Sequence, residues 1–197
     1  MEQLCDLGME KTVFRVEFAQ RPEGKQLMPQ LLGDDAVQFM ISPNPGEPLK
    51  PLDKTASGGE LSRLMLAIKT AGAEHDDIPT MIFDEIDTGI SGHTAGVVAQ
   101  KMASIARFHQ VLCITHLAQI AAMADVELLV QKHVSNERTF TEVHLLEAEA
   151  RVNEIARLIG VTDAERESGL RHAASILATA EKWKAAQQKS DGDTAAN

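Results

Sequence analysis

The 197-residue chain has no tyrosine, a single tryptophan and only two cysteines. With so few aromatics, little is available to build a platform for stacking nucleic-acid bases. Cys5 and Cys113 are far apart in the chain, and Cys113 lies inside an apolar run. That usage argues against a disulfide framework and for a reducing, cytoplasmic setting. No apolar run is long enough to span a bilayer, and Met1 to Lys11 lacks the apolar core of a secretory signal. Neither a membrane partner nor export is expected. Positive charge is also short: 19 Lys and Arg stand against 29 Asp and Glu, for a net charge of −10. Arg15, Lys25, Lys50, Lys54, Arg63 and Lys69 are scattered rather than clustered. The balance disfavours whole-surface attraction to nucleic acid.

Two further absences concern chemistry. The phosphate loop Gly-x-x-x-x-Gly-Lys-[Ser/Thr] occurs nowhere. Its nearest approach is Gly24-Lys25, where Ala19 replaces the first glycine and Gln26 the hydroxyl residue. The histidines outside position 116 (His75, His93, His109, His133, His144, His172) have no metal-ligand spacing with one another, and no nucleophile–base triad can be assembled.

What remains is the composition of an ordinary globular protein, 44% hydrophobic and 24% charged. Residues 1–11 read as the end of a coiled coil or linker. Phe14, Val16 and Phe18 alternate with Arg15 and Glu17, and Val37, Phe39 and Ile41 alternate similarly, so the two runs predict a strand pair near the N-terminus. Four prolines between Ser42 and Lys54 predict an extended loop. Leu61, Leu64, Met65 and Ile68 predict a helix from Gly58, and Val97, Val98, Met102 and Ile105 another over Ser91 to Phe108. Thr80 to Phe83 and Val111 to Ile114 read as buried strands, with a short apolar helix over Leu117 to Ala124. Val126 to Val130 and Phe140 to Leu146 predict a hairpin across Ser135-Asn136-Glu137. Val152, Ile155, Ala156 and Ile159 predict a helix stopped at Gly160, and Asp163 is placed to cap a long final helix. Residues 188–197 are small and polar and are expected to be disordered. Helices alternating with short strands after Ser57 give an α/β class with a mainly parallel sheet flanked by helices, over residues 12–187.

Three motifs stand within that frame. Ser57-Gly58-Gly59-Glu60 is a capping box on its plainest reading. The two glycines add a second reading, in which backbone N–H groups at a helix N-terminus approach an anion closely. Thr80-Met81-Ile82-Phe83 runs into Asp84-Glu85. Acids at the end of a strand in an α/β sheet can be a solvated strand end, or can serve Mg²⁺ and an attacking water. Ile86 excludes an EF-hand by occupying the next ligand position. His116, after Val111 to Thr115, is either structural or close to Asp84, if the two strands are neighbours.

In this order the motifs resemble the C-terminal half of an ABC-type ATPase head. The match is closer to the RecN family, an SMC-like group, through Thr55-Ala56-Ser57-Gly58-Gly59-Glu60-Leu61-Ser62-Arg63, through Phe83 to Gly92, through Cys113 to Ala121 and through Asn44-Pro45-Gly46-Glu47-Pro48. Transporter ATPases usually have Pro after the catalytic Glu, where this chain has Ile86. Transporter and SMC D-loops typically end Leu-Asp, where it has Ile90-Ser91. The resemblance implies a P-loop NTPase fold of ABC/SMC type and a head split by a coiled coil. The phosphate loop (Walker A) would then lie in an N-terminal half, and this chain would be the C-terminal lobe. It implies ATP and Mg²⁺ as ligands and a homodimer of heads that sandwiches ATP. Ser57, Gly58, Gly59, Glu60 and Asp87 would contact nucleotide, Asp84 the metal, and Glu85 and His116 would be catalytic. It further implies double-strand break repair, with DNA bound by the full-length protein at the nucleoid, and an isolated chain unable to hydrolyse ATP. Two other functions remain open on the residues alone: a non-catalytic interaction module, and the nucleotide-binding domain of an ABC transporter.

Overall fold

A computed structural model describes residues 2–19, 36–54, 58–73, 77–135 and 138–194. In chain order the elements are α1 (Glu2–Asp6), β1 (Val13–Ala19), β2 (Ala36–Ser42), β3 (Lys50–Pro51), α2 (Gly58–Gly72), β4 (Thr80–Phe83), α3 (Gly92–Ile105), β5 (Gln110–Cys113), α4 (Ala118–Met123), β6 (Glu127–Ser135), β7 (Arg138–Leu146), α5 (Ala148–Leu158) and α6 (Arg166–Thr194). The α/β class stands, but parallel pairing is limited. Among the described residues only β4 and β5 pair parallel, from Thr80↔Gln110 to Phe83↔Cys113. β1–β2–β3 and β6–β7 are antiparallel, so the N-terminal pair and the later hairpin form as their alternation predicts. The hairpin strands reach to Ser135 and Arg138. The proline-rich segment contains the two-residue β3 and a 3₁₀ turn at Leu52–Lys54.

The two strands expected to be buried are covered on one face only. Met81 and Phe83 enter the core, while Ile82 is 69% exposed and its neighbour Leu112 is open on the same face. The stripe on α2 is also rotated from expectation. Leu64 is buried with Leu66 and Ala67, but Leu61 and Met65 face outward. On α3, Ala95, Val98, Ala99, Met102 and Ile105 recur at helical spacing and are all buried.

Two cores result. The larger joins α1, α2, α3 and β4 around Leu7, Leu64, Leu66, Ile86, Val98 and Ile105. Residues before 12 belong to it: Leu4, Leu7 and Met9 are buried, so the boundary placed at residue 12 does not mark the edge of the packed lobe. The smaller core packs α4, α5 and α6 through Ala118, Ala122, Ile155, Ala156, Ala173 and Ala180. Gly160 ends α5 at φ +77°, the left-handed geometry that suits glycine after a helix. Asp163 does not cap α6. It opens a 3₁₀ turn over Asp163–Glu165, and α6 starts at Arg166. That helix continues to Thr194, through most of the tail expected to be disordered; residues 195–197 lie outside the described residues.

Candidate nucleotide-hydrolysis site

The parallel pair delivers both motif loops to one sheet end. β4 finishes at Phe83 and releases Asp84 and Glu85, while β5 finishes at Cys113 and releases Thr115 and His116. The Ile114 N–H donates to Phe83 O at 3.1 Å, carrying the strand pairing up to the acids. Glu85 then takes φ +57°, a left-handed conformation that costs a non-glycine residue roughly 1–2 kcal/mol. Such a residue persists only when its surroundings hold it, and here they do. The Glu85 N–H donates to Asp84 Oδ1 at 2.9 Å, the Thr88 N–H donates to Glu85 O at 3.0 Å, and Ser62 Oγ donates to Asp84 O at 2.7 Å.

Helix α2 presses its N-terminus against this turn. A Cβ added to Gly58 would stand 2.0 Å from Glu85 Oε2. One added to Gly59 would stand 3.0 Å from both Glu85 O and Thr88 O. Glycine at these two positions is therefore a matter of close approach. Glu60 follows in the first turn of α2. Ser57 lies outside the described residues, so its pairing with Glu60 as a capping box does too.

Asp87 is 4% exposed and gathers three contacts on one oxygen. Thr115 Oγ1 donates to Asp87 Oδ2 at 2.6 Å, the His116 N–H at 2.8 Å, and His116 Nδ1 lies 2.9 Å away. The Leu117 N–H donates in turn to Thr115 Oγ1 at 3.0 Å. The His116 side chain is 71% exposed, and with Nδ1 on Asp87, Nε2 is the nitrogen left to reach a ligand. The sequence left His116 either structural or near Asp84 should the strands be neighbours; the strands do pair, and the contact of the His116 ring is with Asp87. At Cys113, burial first, and then the charges of Asp87 and Asp84, push the thiol up to about 12, which favours its protonated form.

The sequence reading named Arg63 but gave it no role of its own. It is 6% exposed, inside the buried stripe of α2, and its Nη1 donates to Thr88 O at 2.8 Å and to Ile86 O at 3.4 Å. Burial lowers its pKa, against an opposing pull from the Glu60 charge. A signal was present: Arg63 falls four residues after Gly59 and three before Leu66, the spacing of one helix face. His109, which the sequence set aside, is structural, its ring nitrogens lying 2.7 Å from Ile78 O and 2.8 Å from Ala73 O.

Gly58, Gly59, Asp84, Glu85, Asp87 and His116 thus form one continuous cluster. Among the described residues no three His, Cys, Asp or Glu side chains converge to hold an ion by themselves. One exposed carboxylate, Asp84, fits Mg²⁺, which is commonly held by one or two carboxylates together with substrate phosphates and water.

No family model matches the chain. It is 51% identical over 158 residues to the DNA repair protein RecN of Halalkalibacterium halodurans, a match covering 80% of this chain and 28% of that protein. It is 44% identical over 195 residues to DNA repair protein RecN of Bacillus subtilis, covering 92% of this chain and 33% of that protein. The chain thus spans about a third of the length of the curated relatives it matches. Among solved structures, the Smc head domain with a coiled coil and joint from Pyrococcus yayanosii superposes with a TM-score of 0.54 at 19% identity, covering 79% of this chain and 27% of that one. That likeness gives the fold: an α/β head of the SMC/ABC type. No helix among the described residues is long and apolar enough to cross a membrane.

Proposed function

This chain belongs to the RecN family along the stretch it shares with those relatives, and we propose that it supplies the C-terminal lobe of an ATP-hydrolysing head in a DNA repair protein. The observation that carries the reading is the cluster at the end of the β4–β5 pair, where Gly58 and Gly59, Asp84 and Glu85, and Asp87 with His116 meet. A non-catalytic docking module gives no reason to hold a glutamate at φ +57° against a helix start where a Cβ at Gly59 would crowd the backbone of the same turn.

In this reading the phosphate loop comes from the other half of the same head, and two heads dimerise around ATP. Asp84 and phosphate oxygens would hold Mg²⁺, which neutralises developing phosphate charge. Glu85 is the general base that orients and deprotonates the attacking water. His116, held through Nδ1 by Asp87, offers Nε2 to the terminal phosphate. Gly58, Gly59 and Glu60 at the start of α2, together with Ser57 of the same motif, receive the terminal phosphate bound by the opposite head. Asp87 secures the His116 loop and links it to the turn carrying Glu85. Removing one donor from such a preorganised site typically costs on the order of 10²–10³ in rate. DNA is bound by the whole protein rather than by this acidic lobe, in the setting of double-strand break repair at the nucleoid.

The test uses the full-length protein. Glu85→Gln should bind ATP and accumulate a dimer without turnover, seen by sedimentation and phosphate release. Hydrolysis at the parental rate in that variant refutes the assignment. The 197-residue chain alone should release no phosphate from ATP, and robust Mg²⁺-dependent hydrolysis by it would count equally against the reading.

A further inference from the structure

We propose that Arg63 is a positioning residue: it fixes α2 to the turn carrying Glu85 and Asp87, so that the contact α2 makes with one ATP sets the base that acts on the other. This rests on the reading of the chain as half of a dimerising ATPase head. Its own support is geometric. Arg63 Nη1 reaches two carbonyl oxygens of a single turn, Thr88 O at 2.8 Å and Ile86 O at 3.4 Å, and these bracket Asp87. Ser62, the preceding residue on α2, holds Asp84 O at 2.7 Å. Gly59 lies in tight contact with Glu85 O and Thr88 O. Adjacent side chains of one helix thus grip the acidic turn from Asp84 to Thr88.

A guanidinium is an expensive group to place at such a point. It is 6% exposed, its Nε has no partner among the described residues, and burial lowers its pKa. The acceptors it uses are neutral carbonyls, so its charge is not spent on a buried carboxylate. What the group adds is a planar, rigid reach from the helix to two successive points of the turn. The start of α2 is the part proposed to receive the phosphate of the opposite head. A displacement of α2 on engagement would therefore be carried through Arg63 and Ser62 to Asp84, Glu85 and Asp87. Misplacing a reacting group by about 1 Å can cost about 10²-fold in rate, so a rigid linkage is worth its burial.

The experiment compares full-length wild type, Arg63→Met, Arg63→Lys, Ser62→Ala and Glu85→Gln. Arg63→Met should lower kcat by about 10–100-fold with KM for ATP changed less than about threefold. When combined with Glu85→Gln it should still form the ATP-dependent dimer. Arg63→Lys, which can reach one carbonyl, should recover part of kcat, and Ser62→Ala should lose a few-fold. A merely structural Arg63 would lower the folded fraction, so dimer yield and kcat would fall together, and that result overturns the proposal. Should Arg63→Met fail to fold, Ser62→Ala and Arg63→Lys decide it, and parental kcat in both overturns it. An inactive Glu85→Gln beside fully active Arg63 and Ser62 variants defeats this proposal alone. An active Glu85→Gln defeats the ATPase reading and this proposal with it.

Discussion

Alanine at Gly58 and alanine at Gly59 should have opposite consequences, although the residues are adjacent on one helix. At Gly59 a Cβ would sit 3.0 Å from Glu85 O, 3.0 Å from Thr88 O and 3.1 Å from Thr88 Cβ. Neither oxygen is free to give way. Glu85 O accepts the Thr88 N–H at 3.0 Å, and Thr88 O accepts Arg63 Nη1 at 2.8 Å. Overpacking against fixed atoms costs about 1–3 kcal/mol, and replacing glycine in a helix returns about 1 kcal/mol. Gly59→Ala should therefore come out destabilised by about 0–2 kcal/mol on these two terms. At Gly58 the obstructing atom is Glu85 Oε2, 2.0 Å from the added carbon but at the free end of an exposed side chain. That carboxylate can rotate away at little cost, so the helix gain stands and Gly58→Ala should be neutral or slightly stabilised.

Urea unfolding of the chain, followed by circular dichroism at a shared m-value, measures the difference. The helix gain is common to both variants, so the expected separation is the overpacking cost, about 1–3 kcal/mol, with Gly58→Ala the more stable. A Gly59→Ala protein as stable as Gly58→Ala, or more so, would show that the turn is not held as rigidly as its hydrogen bonds require. The functional order should invert this simple picture. Gly58→Ala displaces the carboxylate of Glu85, so full-length Gly58→Ala should lose hydrolysis while keeping its stability.

Two other outcomes follow from the same geometry. Asp87→Ala removes the acceptor shared by Thr115 Oγ1 and the His116 N–H, and each donor left unpartnered inside costs about 1–3 kcal/mol. Asp87→Asn keeps an acceptor oxygen and should lose less. Equal denaturation midpoints for the parent and Asp87→Ala would contradict the geometry. The second outcome concerns pH. Burial raises the Glu127 carboxyl above its ordinary value, against the lowering effect of its hydrogen bond to Arg151. A raised acid is better accommodated protonated, so its contribution to stability improves as pH falls through its folded value toward the ordinary Glu value of about 4.3. Glu127→Gln should flatten that part of the stability–pH curve while keeping an acceptor for Arg151. Unchanged curvature between the two proteins would refute the assignment.

Much of the candidate cluster was legible because its motifs are local. Phe83-Asp84-Glu85 and Thr115-His116 each follow a short apolar run, and the parallel pairing of those runs is enough to bring them to one edge. The glycine pair was legible as unusual, but not the reason for it, since the atoms that crowd a side chain at Gly59 belong to Glu85 and Thr88. The hydrogen-bond partner of His116 was not readable for a related reason. Asp84 and Asp87 are three residues apart in the chain, with the left-handed Glu85 between them, and nothing in that spacing tells that Asp87 is the buried one, at 4% exposed. Arg63 was hidden by its charge, because a lone arginine on a helix is ordinarily a solvated one.

The strands show where sequence periodicity reaches its limit. Apolar alternation tells which face of a strand avoids water, not which neighbour covers it. Ile82, Leu112 and Ile114 form one open face of the parallel pair, beside the outward Leu61 and Met65 of α2. Leu128, Val130 and Val134 on β6 and Val143 and Leu145 on β7 share another, by the register Leu128↔Leu145 and Val130↔Val143. Apolar surface on this scale normally marks a contact. Thr80 to Phe83 and Val111 to Ile114 are apolar on both faces, and the described residues cover one of them. In the proposed head, the half that brings the phosphate loop would lie against the open face of the β4–β5 pair, next to the turn that carries Asp84 and Glu85.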